Sequence, residues 1–335
     1  MACGSLWLAI AACGGSPVAP PSSGIDPVSG PLSLAGRVLV NPTSEPVPGA
    51  TLTLSPPSQP AQSVLVASDG GAISIDGVPE GQIPFVVSAA GFIDYSSRFD
   101  LTESISGFEW KIIRDAPPFS LPFYRQFVRN SEESRILQPL RRWTFSPSFY
   151  VRSVTKDGGT PVDPSILERV TAVIERSVPE LSAGQLSARA IEVGSQERPP
   201  SHGWVMVDFY DHLEDALGRA SVGGPMGTIE LTTRETGNIV RGCSSSVVSV
   251  AEHEMVHTMG FYHTFAPYGQ VIADFHGSGC TGEGRSARAR YHVAIAYSRP
   301  PGNRDRDSDP PSFTYPLENG GSQVGPMITC RRSVF

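Results

Sequence analysis

Residues 253–263 read His-Glu-Met-Val-His-Thr-Met-Gly-Phe-Tyr-His, and their spacing is that of a metal site. On a helix, His253 and His257 leave the same face about one turn apart. Two neutral imidazoles at that separation can share one tetrahedral Zn²⁺. Gly260 lets the helix stop and the chain turn, so that His263 returns as a third ligand. A fourth position stays open for water, the mark of a catalytic rather than a structural zinc. Glu254 is too close in sequence to His253 to be a comfortable ligand. It is placed instead to take a proton from that water as general base.

The element that must carry these residues is a helix. Val247, Val248, Val250 and Ala251 precede His253, and Met255, Val256 and Met259 continue the apolar face, so the helix is expected to be buried behind a cleft. Upstream, Asp163 caps a second helix, Pro164 takes its first position, and Ile166, Leu167, Val170, Val173, Ile174 and Val178 share one side up to Pro179. Residues 149–151, 204–209 and 227–233 read as strands, and 286–298 as a C-terminal helix.

The eleven-residue pattern resembles the metzincin clan of zinc endopeptidases. The resemblance implies a Zn²⁺ cofactor, His253, His257 and His263 as ligands, and Glu254 as catalytic base. It also implies that residues 227–233 form the edge strand above the cleft, where an extended peptide substrate adds as a further strand. The clan carries a methionine in a tight turn beneath the zinc. Only Met327 follows His263, so it is the candidate for that turn. Some metzincins use a tyrosine on the oxyanion; Tyr291 and Tyr297 are the tyrosines near enough in sequence to test. The function expected is peptide-bond hydrolysis. The alternative is a cell-surface binding or adhesion protein whose protease-derived domain no longer turns over.

Before this domain, residues 33–102 alternate in short runs at 36–40, 50–54, 72–75 and 85–89, separated by Pro48-Gly49, Asp69-Gly70-Gly71 and Val78-Pro79-Glu80-Gly81. Period-two runs at this spacing predict a small antiparallel β-sandwich. The motif order resembles the carboxypeptidase regulatory-like (transthyretin-like) module. No histidine or cysteine occurs in it, so a spacer or binding role is expected. The fold class expected is therefore multidomain, a small all-β sandwich followed by an α+β metzincin-like domain at 148–335, with 103–147 as an aromatic-rich connector.

The N-terminal residues read as a targeting segment over 1–13 and a Pro/Ser/Gly-rich flexible linker over 14–32. Ile10-Ala11-Ala12-Cys13 resembles the lipobox of bacterial lipoproteins, which implies lipidation of Cys13, export, and either anchoring at the envelope or secretion. That lipid is the one membrane contact expected. In an exported chain disulfides are permitted. Cys243 and Cys280 flank the histidine helix, and a bridge between them would pin its start to the loop after His263; Cys330 is then left over.

Net charge is −7 with no basic stripe, which argues against nucleic acid as a partner; the metzincin resemblance implies a protein or peptide substrate. Acids alternate at Asp305, Asp307 and Asp309, but Pro310 and Pro316 stand where a calcium-binding EF-hand needs Gly and Glu, so this stretch reads as solvated linker. His202, His212, His276 and His292 lack partner spacing and read as loop or surface residues.

Overall fold

Alternation decides the first layer. In β5 (Gly81–Ser88) Ile83, Phe85 and Val87 are buried while Gln82, Pro84 and Val86 face out, the pattern of a sheet wetted on one side. The computed structural model describes residues 32–57, 60–65, 70–214, 216–233, 236–240, 243–265, 267–268, 286–303 and 327–331. It is a mixed α/β protein with several sheets and, among the described residues, four helices.

The first part is a sandwich. One sheet has the order β4 (Ala72–Val78), β1 (Leu32–Asn41), β7 (Ile105–Ile113), and the other β3 (Gln62–Leu65), β2 (Thr51–Leu54), β5, β6 (Tyr95–Leu101). Leu34, Val38, Leu52, Ile83, Phe85, Phe99 and Trp110 form its core. Two expectations change here. Strand β7 runs parallel to β1, so the sandwich is not wholly antiparallel. It also extends the module to residue 113, into the stretch read as connector. Trp110 and Ile112 supply part of the sandwich core, which is why β7 belongs with it.

The second part is built on a six-stranded sheet. Its order is β15 (Met327–Arg331), β11 (Ala216–Ser221), β12 (Gly227–Thr232), β10 (Trp204–Tyr210), β8 (Ser148–Thr155), β9 (Ala190–Gly194). β9, β8, β10 and β12 run parallel; β11 and β15 are each antiparallel to their neighbour. A two-stranded ribbon, β13 (Thr236–Val240) and β14 (Cys243–Ser245), leads into the histidine helix. Helix α2 (Pro164–Glu180) starts as expected: Asp163 Oδ1 accepts the Ser165 N–H at 2.7 Å, and Pro164 stands at the first position. Helix α3 (Val247–Thr258) carries the histidines, and α4 (Ala287–Tyr297) matches the expected C-terminal helix.

The remainder of the expected connector is part of this second core. Ser120 caps α1 (Leu121–Arg129), and Phe123 and Phe127 belong to one buried cluster with Val170, Val173 and Ile174 of α2, Val207 of β10, Met255 of α3 and Val293 of α4. Trp143 Nε1 donates to the Thr258 carbonyl at 2.8 Å, tying the same segment to the end of α3.

The two parts touch through buried polar contacts. Asn41 Oδ1 accepts the Ser298 hydroxyl at 2.9 Å, Arg299 donates to the Lys111 carbonyl, and its guanidinium lies 4.3 Å from the Tyr95 ring centre. The sandwich is therefore fastened to the end of α4 and not tethered by a loose spacer.

His292 is a correction. It is fully buried on α4, not at a surface. Its Nε2 accepts the Ser120 N–H at 3.1 Å and its Nδ1–H donates to the Arg288 carbonyl at 2.8 Å, with Phe119 stacked at 5.5 Å. Burial holds its pKa down at about 4. Between pH 6.5 and 4 the unfolded chain then binds a proton that the folded one refuses, so stability present above pH 6.5 is lost as pH falls through this window, by about 3 kcal/mol. Urea unfolding of wild type and His292→Gln is expected to converge as pH is lowered from 7 to 4; parallel pH curves would contradict the assignment.

Candidate metal centre

Helix α3 is capped by Ser246, whose hydroxyl accepts the Ser249 N–H at 3.2 Å. Its last residues are held from several sides. Gly260 has φ +109°, and a Cβ there would lie 1.9 Å from the Arg141 carbonyl oxygen, so both the turn and the close approach require glycine. Tyr297 Oη donates to the Met259 carbonyl at 2.9 Å.

The three histidines converge. The Nε2 atoms of His253 and His257 are 3.2 Å apart, those of His257 and His263 3.3 Å, and those of His253 and His263 3.3 Å. Tetrahedral nitrogen ligands about 2.0–2.1 Å from one ion stand about 3.3–3.4 Å from each other, so the triangle fits a single metal. Among the described residues, this trio is the group of His, Cys, Asp or Glu side chains arranged to hold an ion. The outer nitrogens explain the orientation. His257 Nδ1–H donates to the Phe261 carbonyl at 2.8 Å, and His263 Nδ1–H to Glu133 Oε1 at 2.7 Å. Each proton on Nδ1 leaves the Nε2 lone pair facing the centre. Burial first, and the neighbouring His263 second, hold the His257 pKa down at about 3, which keeps this lone pair available. Lone pairs packed at this distance repel unless a cation lies among them. The donor set therefore fits a metal ion.

Glu254 is fully buried, and among the described residues neither carboxylate oxygen has a hydrogen-bond partner. Burial pushes its carboxyl well above the usual range. It rests against β11: a Cβ added to Gly218 would lie 2.5 Å from Glu254 Oε1 and 2.6 Å from Val250 Cγ1. Glycine at 218 makes the space that the carboxylate fills. A buried acid without partners is costly, and such groups concentrate where chemistry needs them.

Other expectations fall elsewhere. Strand β12 is not an edge: it lies between β10 and β11, and the outer side of β11 is covered by β15. Chain order alone does not reveal that β11 inserts on that side. Met327 opens β15 with its backbone opposite Ser221, so it stands in an extended strand and not in a turn; pairing satisfies the β11 backbone that would otherwise lie open. Tyr297 is committed to the end of α3, and Tyr291 Oη donates to the Asn41 carbonyl at 3.4 Å, toward the sandwich. His202 stacks on Phe145 at 5.0 Å, and the His212 N–H donates to Asp157 at 3.0 Å, both apart from the trio. Cys243 lies on β14. Cys13, His276, Cys280 and the acids at 305, 307 and 309 lie outside the described residues, as do the targeting segment and linker. No helix among the described residues is long and apolar enough to cross a membrane. Glu133 and Gly218 are the site residues that sequence spacing does not announce.

No protein-family model matches the chain, and no curated protein does. Solved structures give partial likenesses. The Bacillus anthracis TIE protein is 21% identical over 25% of this chain and 17% of that one, at a TM-score of 0.21. The A72G mutant of Acinetobacter radioresistens catechol 1,2 dioxygenase is 10% identical over 28% and 55%, at 0.22. The GH20 exo β-N-acetylglucosaminidase of Vibrio harveyi is 10% identical over 67% and 37%, at 0.19. The chain spans less than two thirds of each of these proteins, and likenesses this low say nothing of its activity.

Proposed function

We propose that the chain is a zinc-dependent endopeptidase of the metzincin kind. The observation that carries this reading is three imidazole Nε2 atoms 3.2–3.3 Å apart, on and just after a helix that also bears a buried Glu254 with no hydrogen-bond partner among the described residues. Three neutral imidazoles suit Zn²⁺ among the common divalent ions. When bound, such an ion polarises a carbonyl and makes water easier to deprotonate.

The chain's own residues do the rest. His253, His257 and His263 would hold the ion. Glu254 takes the proton of the attacking water and returns it to the departing amine; a desolvated carboxyl of raised basicity suits both halves of that transfer. Gly218 keeps the carboxylate from being pushed out of line. An extended peptide joining the sheet at this end pairs with β15, or with β11 once β15 is displaced. Residues 10–13 support export, with a lipid on Cys13.

The test is cleavage of an unfolded protein such as casein by the full chain. We expect hydrolysis that a zinc chelator abolishes and equimolar zinc restores. Zinc bound one to one without any hydrolysis would favour the non-catalytic surface-binding protein, and chelator-insensitive cleavage would contradict the mechanism.

A further inference from the structure

The third histidine stands off the helix. Once the chain turns at Gly260, α3 no longer dictates where the His263 ring lies. Helix α1 and the turn that follows it do. The Tyr262 N–H donates to the Phe127 carbonyl at 2.8 Å, and the Phe265 N–H to Gln126 Oε1 at 2.9 Å, one on each side of His263. Phe127 and Phe261 stack with ring centres 4.5 Å apart. Asn130, at φ 54°, ends α1 and turns the chain back; Gln126 Nε2 then donates to Glu132 Oε1 at 3.0 Å. The next residue, Glu133, accepts the His263 Nδ1–H at 2.7 Å.

Resting on the reading of the histidine trio as a metal site, we infer that Glu133 is the positioning residue of the third ligand, and that α1 with its terminal turn is part of the metal centre. Glu133 acts in three ways. It holds the proton on Nδ1, so the Nε2 lone pair faces inward. It stops rotation of a ring that no helix constrains. Its negative charge beside the ring makes the opposite nitrogen a better donor to a cation. A surface ion pair with no tie to the metal would do none of these things and would contribute little.

The experiment measures zinc affinity of the full chain by competition with a chromophoric chelator, in wild type, Glu133→Ala and Glu133→Gln. Unfolding midpoints of the metal-free proteins are measured beside it. Glu133→Ala is expected to bind zinc about 10- to 100-fold more weakly, with an unchanged metal-free midpoint. Glutamine at 133 keeps an oxygen that accepts from Nδ1–H but loses the charge, and is expected to fall between the two. Zinc binding by wild type with equal affinity in Glu133→Ala overturns this inference alone. So does a weakened affinity that is accompanied by a lower metal-free midpoint, since the role would then be one of folding. No zinc binding by wild type overturns the metal-site reading beneath it.

Discussion

Glu254→Gln is expected to lose about 10²- to 10⁴-fold in kcat/KM on a peptide substrate while keeping its zinc and its fold. Glutamine has the same shape, so it fits the space beside Gly218. It cannot take up a proton, so the transfer to the leaving amine has no carrier. The stability change should have the opposite sign to the change in activity. The native carboxylate is fully buried with no hydrogen-bond partner among the described residues, which disfavours its charged form. Removing the charge relieves that cost, so the metal-free variant should unfold at the same denaturant concentration as wild type or a higher one. Loss of activity with gain of stability is what a residue kept for chemistry shows. A variant that retains activity would remove Glu254 from the mechanism. One that loses zinc as well would make it a metal-holding residue instead.

Zinc is expected to stabilise the folded chain, and His257→Ala to abolish that effect. An ion that binds only the folded state, at 1,000 times its dissociation constant, adds about 4 kcal/mol. The unfolded chain holds the three histidines as loose ligands at best, so most of this gain should be seen. His257 is the ligand to remove because it is fully buried, with Nδ1 fixed on the Phe261 carbonyl. Its loss opens the centre of the trio and removes the side-chain hydrogen bond to the Phe261 carbonyl, while the His263 contact with Glu133 is made by other atoms. Wild type should show a midpoint that rises with zinc concentration; the variant should show none, and no hydrolysis. Equal zinc shifts in both proteins would place the ion elsewhere.

The histidine trio was legible because its residues are local. Eleven consecutive positions carry the three histidines, Glu254 and the turn glycine, and helical geometry alone brings His253 and His257 together. Helix α2 was legible for the same reason: its cap and its proline are adjacent in the chain. What supports the site was not. Glu133 meets His263 across 130 residues, and Gly218 meets Glu254 only because β11 folds in beside α3. No periodicity reports a contact of that kind. Strand β11 was missed because Gly218 and Arg219 interrupt its apolar alternation, and with it went the true sheet edge. One local signal was there to be used: Ser120 before Leu121-Pro122 marks the start of α1, and the aromatics behind it drew the reading toward a connector.

X-ray absorption at the zinc edge, on the full chain loaded with one equivalent of zinc, reads the ligands of the ion directly. Three imidazole nitrogens at about 2.0–2.1 Å and one further light ligand that is not histidine are expected, with one imidazole lost in His257→Ala. A shell of oxygens, a sulfur ligand, or a spectrum that His257→Ala leaves unchanged would contradict it.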